Sequence, residues 1–93
     1  MSEEYKIDLC KHAIGMGYRK PYKRHGRVFY RPYRNYFATS GEGIAHAHWK
    51  GLEADGYAKS QETENGRFIF WLTRSGLDWL GQKIGMHIYD EED

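Results

Sequence analysis

The residues with the most chemistry to offer lie between Tyr18 and Phe37, in the run YRKPYKRHGRVFYRPYRNYF. It contains Arg19, Lys20, Lys23, Arg24, Arg27, Arg31 and Arg34, seven of the chain's fourteen lysines and arginines, and no aspartate or glutamate separates them. Five tyrosines and two phenylalanines are interleaved with these cations. Guanidinium and ammonium groups neutralise phosphates, and aromatic faces stack on bases or hold cations, so the pairing points first to a nucleic acid. Arginine and tyrosine also dominate protein–protein hot spots, so the same surface suits a protein partner, such as a host nucleic-acid-processing machine inhibited by this chain. The competing expectation is architectural: some of the aromatics fill the core, and some of the cations are simply solvated.

The remaining composition narrows the field. The formal charge of the whole chain is +1, so its positive charge is a patch and not a general coating for polyanions. Ninety-three residues make one domain, 1–93. A chain of this size buries roughly 60 to 65% of its unfolded surface, which leaves little for a deep pocket. No G-x-x-x-x-G-K-[ST], G-x-S-x-G or G-x-G-x-x-G occurs, and no spacing of Ser, His and Asp selects a triad, so neither an enzyme nor a cofactor is expected. His46 and His48 stand about 200° apart around a helix and cannot share an ion on one face; Cys10 and His12 have the same problem, and no metal site is expected. A single cysteine excludes an internal disulfide and fits a reducing compartment. There is no apolar run near 18 residues, and MSEEYKIDLC carries acids in place of a signal core. The expectation is a cytoplasmic protein of a bacterial host cell with no membrane partner.

The elements that must position the basic run can be read from periodicity. Residues 3–14 form a first helix with Ile7, Cys10 and Ile14 in its apolar stripe and Gly15 and Gly17 at its end. A polar loop follows over 17–27, then a short strand at Val28–Tyr30. Pro32 opens a second helix over 32–39, because a missing N–H costs nothing in a first turn. A third helix spans 44–55 on Ile44, His48 and Leu52. Strands at Tyr57–Glu62 and Arg67–Leu72 are joined across Glu64-Asn65-Gly66, since Asn-Gly tolerates the positive φ of a tight hairpin. Thr73 caps a fourth helix with Leu77, Leu80 and Ile84 buried, and Gly85 ends it. Met86–Tyr89 is an apolar tail, followed by the acids 90–93.

Three helices followed by a two-stranded wing describe an α+β winged helix-turn-helix. The stretch WKGLEADGYAKS through RFIFWLTRSGLDWL resembles the end of many winged-helix regulators. KHAIGM, RPYRNYF and FWLT together resemble a family of small phage and prophage proteins. In such a fold the third helix enters the major groove of duplex DNA, which implies base contacts from His46, Lys50 and Glu53. Lys20, Lys23, Arg24, Arg27, Arg31 and Arg34, with Lys59 and Arg67 on the wing, are then the phosphate contacts. A slope of log K on log salt of about −3 to −6 is expected for duplex DNA.

Two further expectations concern association. If the tail Met86–Tyr89 does not cover Ile69 and Trp71, these form an apolar patch suited to a homodimer. The acidic end could fold back on the cations, so deleting 90–93 is expected to tighten binding at low salt. Within the basic run, Tyr18–Arg27 is expected to be loop, and Phe29, Tyr33, Tyr36 and Phe37 are expected to serve the core.

Overall fold

The computed structural model describes residues 3–90 and builds two three-stranded sheets on three helices. Helix α1, Glu3–Ala13, opens with Glu3 and Glu4, whose charges favour the positive end of its dipole, and buries Leu9, Cys10 and Ala13. It stops at Gly15, whose φ of 66° lies in the left-handed region. The carbonyls left over at this end find donors far along the chain. The N–H groups of Tyr33 and Tyr36 donate to Ile14 and Ala13 at 3.2 and 3.0 Å, and the Arg34 guanidinium donates to His12 O at 3.0 Å.

That capping corrects the helix expected over 32–39. A helix opening at Pro32 would need the Tyr36 N–H for its own ladder, and that donor is already used at the end of α1. Residues 31–36 instead run as an irregular connection into strand β3, Phe37–Ser40. Asn35 fixes the entry to this strand by hydrogen bonds to the backbone of Leu72.

The second sheet has the order β3-β5-β4, all antiparallel, with β4 at Ala58–Glu62 and β5 at Arg67–Leu72. Asn65 and Gly66 turn the hairpin with φ of 65° and 72°. Phe70 and Leu72 face inward, and helix α2, Ile44–Ala54, lays Trp49 and Leu52 over them. The Trp49 ring stacks on Phe70 at 5.5 Å and also meets Phe37 at 5.5 Å. Ile69 and Trp71 are half-buried on the opposite face of β5, beside Ala38 and Lys59 of the flanking strands.

Helix α3, Arg74–Ile84, starts at Thr73, whose Oγ1 accepts from Gly76 N at 3.0 Å, and ends on a left-handed Gly85. Gly81 lets the chain return closely: a Cβ there would stand 2.4 Å from Met86 O. The return forms β6, His87–Ile88, which pairs in parallel with β2, Arg27–Tyr30. Strand β1, Tyr22–Arg24, completes the first sheet in the order β1-β2-β6. Tyr30 and Ile88 point inward from it and join Cys10, Ile14, Leu77 and Leu80 in the core.

The winged helix-turn-helix is therefore overturned. The chain passes from β3 through Ser40-Gly41-Glu42-Gly43 directly into α2, with no preceding helix to form the motif. The described residues hold three α-helices and six strands, and the apolar tail Met86–Tyr89 supplies one of them. β6 pairs within the first sheet, whereas Ile69 and Trp71 belong to the second. Of the acidic end, only Asp90 is among the described residues, and 91–93 lie outside them.

Candidate nucleic-acid interface

The first sheet turns half of the basic run into a surface. His25 and Gly26, with φ of 52° and 78°, make a two-residue turn between β1 and β2, the conformation that matches strand twist. The register pairs Tyr22 with Phe29, Lys23 with Val28 and Arg24 with Arg27. Phe29 in turn stands beside His87. Side chains alternate across a pleat, so Tyr22, Arg24, Arg27, Phe29, Arg31, His87 and Tyr89 all share the outer face, while Tyr30 and Ile88 take the inner one.

The rings on this outer face form a continuous set. Phe29 stacks on Tyr22 at 5.8 Å and on Tyr89 at 5.9 Å, with interplanar angles of 24° and 18°. His87 meets Phe29 and Tyr89 edge-on at 5.9 and 4.7 Å. Arg31 lies over Tyr89 at 4.6 Å. Burial, reinforced by a hydrogen bond and proximity to Tyr22, pushes the Tyr89 phenol above its ordinary pKa of 10, with Arg31 and Arg24 opposing. The phenol is therefore a neutral hydrogen-bonding group at physiological pH.

Arg24 and Arg27 face each other directly at the hairpin tip, an arrangement that costs energy because like charges oppose each other across strands. Ion pairs among the described residues include Lys50 with Glu53, Arg74 with Asp78 and Lys83 with Glu3, none of these in the basic run. A bound anion would relieve that repulsion.

A second group borders the first. Tyr18 and Tyr33 lie 5.1 Å apart, Arg34 sits between Tyr18 and Tyr36 at 5.5 and 5.4 Å, and Arg19 lies over Tyr33 at 5.9 Å. Tyr18, Tyr33 and Tyr36 are 69, 55 and 49% exposed, so Tyr33 and Tyr36 do not serve the core as expected. Of the four aromatics assigned to it, Phe37 packs against the core cluster, whereas Phe29 belongs to the outer face. The ring that enters the core is Tyr30, whose hydroxyl donates to Gly15 O at 3.1 Å; burial raises its pKa despite Arg19 nearby.

The site residues expected from sequence are thus divided. Arg24, Arg27 and Arg31 come together on the outer face, Lys23 lies on the reverse of the hairpin beside Val28, Lys20 is exposed ahead of it, and Arg34 is held beneath Tyr18. On α2, His46 is half-buried and Lys50 is exposed. The His46 ring packs on Phe68 and Phe70 at 5.0 and 5.8 Å, and Lys50 is tied to Glu53 at 3.2 Å, as is Ser60 of β4 at 2.9 Å. Burial resists ionisation of Glu53, but the bonds from Ser60 and Lys50 and the charges of Lys50 and His46 outweigh it and hold the pKa below 4.5. Lys59 and Arg67 belong to the second sheet, apart from the hairpin. Tyr22, Phe29, His87 and Tyr89 were missed as site residues; the alternation Met86, His87, Ile88, Tyr89 was the available signal.

No family model matches the sequence, and no curated protein or solved structure matches it either. The two-sheet topology sets aside the winged-helix fold implied by the resemblance. Among the described residues no group of three or more His, Cys, Asp or Glu could hold a metal ion, and no helix is long and apolar enough to cross a membrane. What fold and site define is an α+β domain that displays a cationic, aromatic sheet face.

Proposed function

We propose that this protein binds single-stranded nucleic acid, with phosphates on Arg24, Arg27 and Arg31 and bases against the rings of Tyr22, Phe29, His87 and Tyr89. The observation that carries this reading is their common outer face on the first sheet. Duplex bases are already stacked on one another, whereas a single strand offers free base faces to an aromatic platform. Phosphate contacts supply most of the affinity and the rings add stacking. The buried free thiol of Cys10 supports a reducing, cytoplasmic compartment as part of this reading.

Fluorescence anisotropy with labelled single-stranded and duplex oligonucleotides over a salt series tests the reading. Tighter single-strand binding is expected, with affinity falling as salt rises. Equal, salt-independent binding of both forms would overturn it. Failure to bind either, with nuclease-resistant co-purification of another protein through Arg24, Arg27 and Arg31, would assign the surface to a protein partner.

A further inference from the structure

Beside the aromatic face lies a small pocket of about 150 Å³ lined by Arg19, Arg31, Pro32, Arg34, Asn35, Leu77, Tyr89 and Asp90. Its three guanidiniums come from two separate connections, Arg19 ahead of β1 and Arg31 and Arg34 between β2 and β3. None of the three takes part in an ion pair found among the described residues. The Nε of Arg34 is buried and has no hydrogen-bond partner, although Nη2 of the same side chain is committed to His12 O. A guanidinium anchored at one corner by its backbone bond is a pre-positioned anion ligand.

Size and charge decide which anion. At about 30 Å³ per water the pocket holds about five solvent-sized atoms, the scale of one phosphate with its oxygens. Three arginines against Asp90 leave a local charge of +2, which matches a phosphomonoester near neutral pH better than the single charge of an internal diester. A diester must also lead the chain out on both sides, whereas Pro32, Asn35 and Leu77 line the pocket together with the arginines. Tyr89 is the shared wall: it lines the pocket and stacks on Phe29 in the aromatic face.

We propose that the Arg19–Arg31–Arg34 pocket receives the terminal phosphate of a nucleic-acid strand whose adjoining bases lie on the Tyr22–Phe29–Tyr89 face. This rests on the single-strand reading above and adds end recognition to it.

The test compares one oligonucleotide carrying a 5′-phosphate, a 3′-phosphate or neither, with wild type and with Arg19→Ala. One phosphorylated end is expected to bind about tenfold more tightly than the unphosphorylated strand, and R19A is expected to remove most of that preference while leaving the unphosphorylated strand little changed. Equal binding of all three by wild type would overturn the pocket and leave the single-strand reading standing. A parallel NMR titration with a nucleoside monophosphate follows the arginine Nε–H resonances. Shifts at Arg34 without any oligonucleotide binding would overturn strand-end recognition while retaining a phosphate site. No shift at Arg19, Arg31 or Arg34 would overturn the site itself.

Discussion

The side-chain amide of Asn35 stands in for a peptide group opposite Leu72. Its Nδ2 donates to Leu72 O at 3.0 Å and its Oδ1 accepts from Leu72 N at 2.9 Å. The register of β3 and β5, in which Phe37 pairs with Phe70 and Ala38 with Ile69, would bring residue 35 opposite Leu72 if the strand continued. The backbone pairing stops at Phe37, and the N–H of the neighbouring Tyr36 turns to Ala13 O at the end of α1. One side chain thereby satisfies two demands, and it joins the connection carrying Arg31 and Arg34 to the central strand.

Replacing Asn35 by Ala leaves both backbone groups of Leu72 without that partner. The expected loss is about 1–3 kcal/mol in denaturant unfolding, the usual cost of abandoned donors and acceptors at a partly buried site. Asn35→Asp retains the acceptor for Leu72 N–H but places a carboxylate against a carbonyl, so it is expected to fall at least as far. A destabilisation below about 0.5 kcal/mol for both variants would show that water replaces the amide freely.

This junction also explains what was legible from the sequence. Elements with local punctuation were readable: Thr73 and Gly85 bound α3, and Asn65-Gly66 turns the second hairpin. The misread helix at 32–39 has a good local start in Pro32, but its Tyr36 N–H is taken by α1 and Phe37–Ser40 pair with β5. Strand β1 is fully exposed, so it has no apolar alternation to announce it. Strand β6 joins β2 across almost sixty residues, from Phe29 to His87, with no local cue. At the site, the basic run announced cations and rings together, but only the pleat separates Tyr30, which goes in, from Phe29, which stays out.

Gly81 is the second structural control point. A Cβ at this position would meet Met86 O at 2.4 Å, so Gly81→Ala must push the return to β6 outward. A loss of about 1–3 kcal/mol is expected from this overpacking. Because β6 carries His87 and leads into Tyr89, affinity for a single strand should fall as well, under conditions where circular dichroism reports the variant folded. Full affinity in a folded, destabilised variant would separate β6 from the binding face.

Glu53 gives a pH signature. Its pKa is held below the ordinary 4.5, so its stabilisation is present at and above that pH and is lost as pH falls through the lower value of the folded state. Thermal unfolding of wild type should therefore weaken on acidification in this window. Glu53→Gln should be less stable at neutral pH, with the difference narrowing at lower pH. A gap that stays constant from neutral pH to below pH 4 would exclude the carboxylate as its source.

Cys10 should be chemically silent in the folded protein. It is fully buried, and burial, only partly offset by Lys6, pushes its thiol up to about 12, so almost no thiolate exists at pH 8. A chromogenic disulfide reagent is expected to react slowly under native conditions and rapidly in denaturant. Rapid stoichiometric labelling without unfolding would mean that α1 opens readily from the core.

The two chemistries of the outer face can be separated by how their loss responds to salt. Arg24 and Arg27 oppose each other at the hairpin tip, and with Arg31 they form the cationic part of the face. Removing all three should make the salt slope for a single strand shallower by about 2, at roughly 0.7 per phosphate contact. Tyr22→Ala and Phe29→Ala remove stacking surface without removing charge. Each is expected to cost about 1–3 kcal/mol in affinity at every salt concentration and to leave the slope in place. Tyr22 is the cleaner probe, because it lies on the exposed edge strand, whereas Phe29 also supports Tyr89 and His87. If the arginine triple variant and Tyr22→Ala changed the slope equally, ring and charge would not be acting on different parts of one strand. If Tyr22→Ala bound like wild type while the arginine variant lost affinity, the face would be a phosphate grip without base stacking.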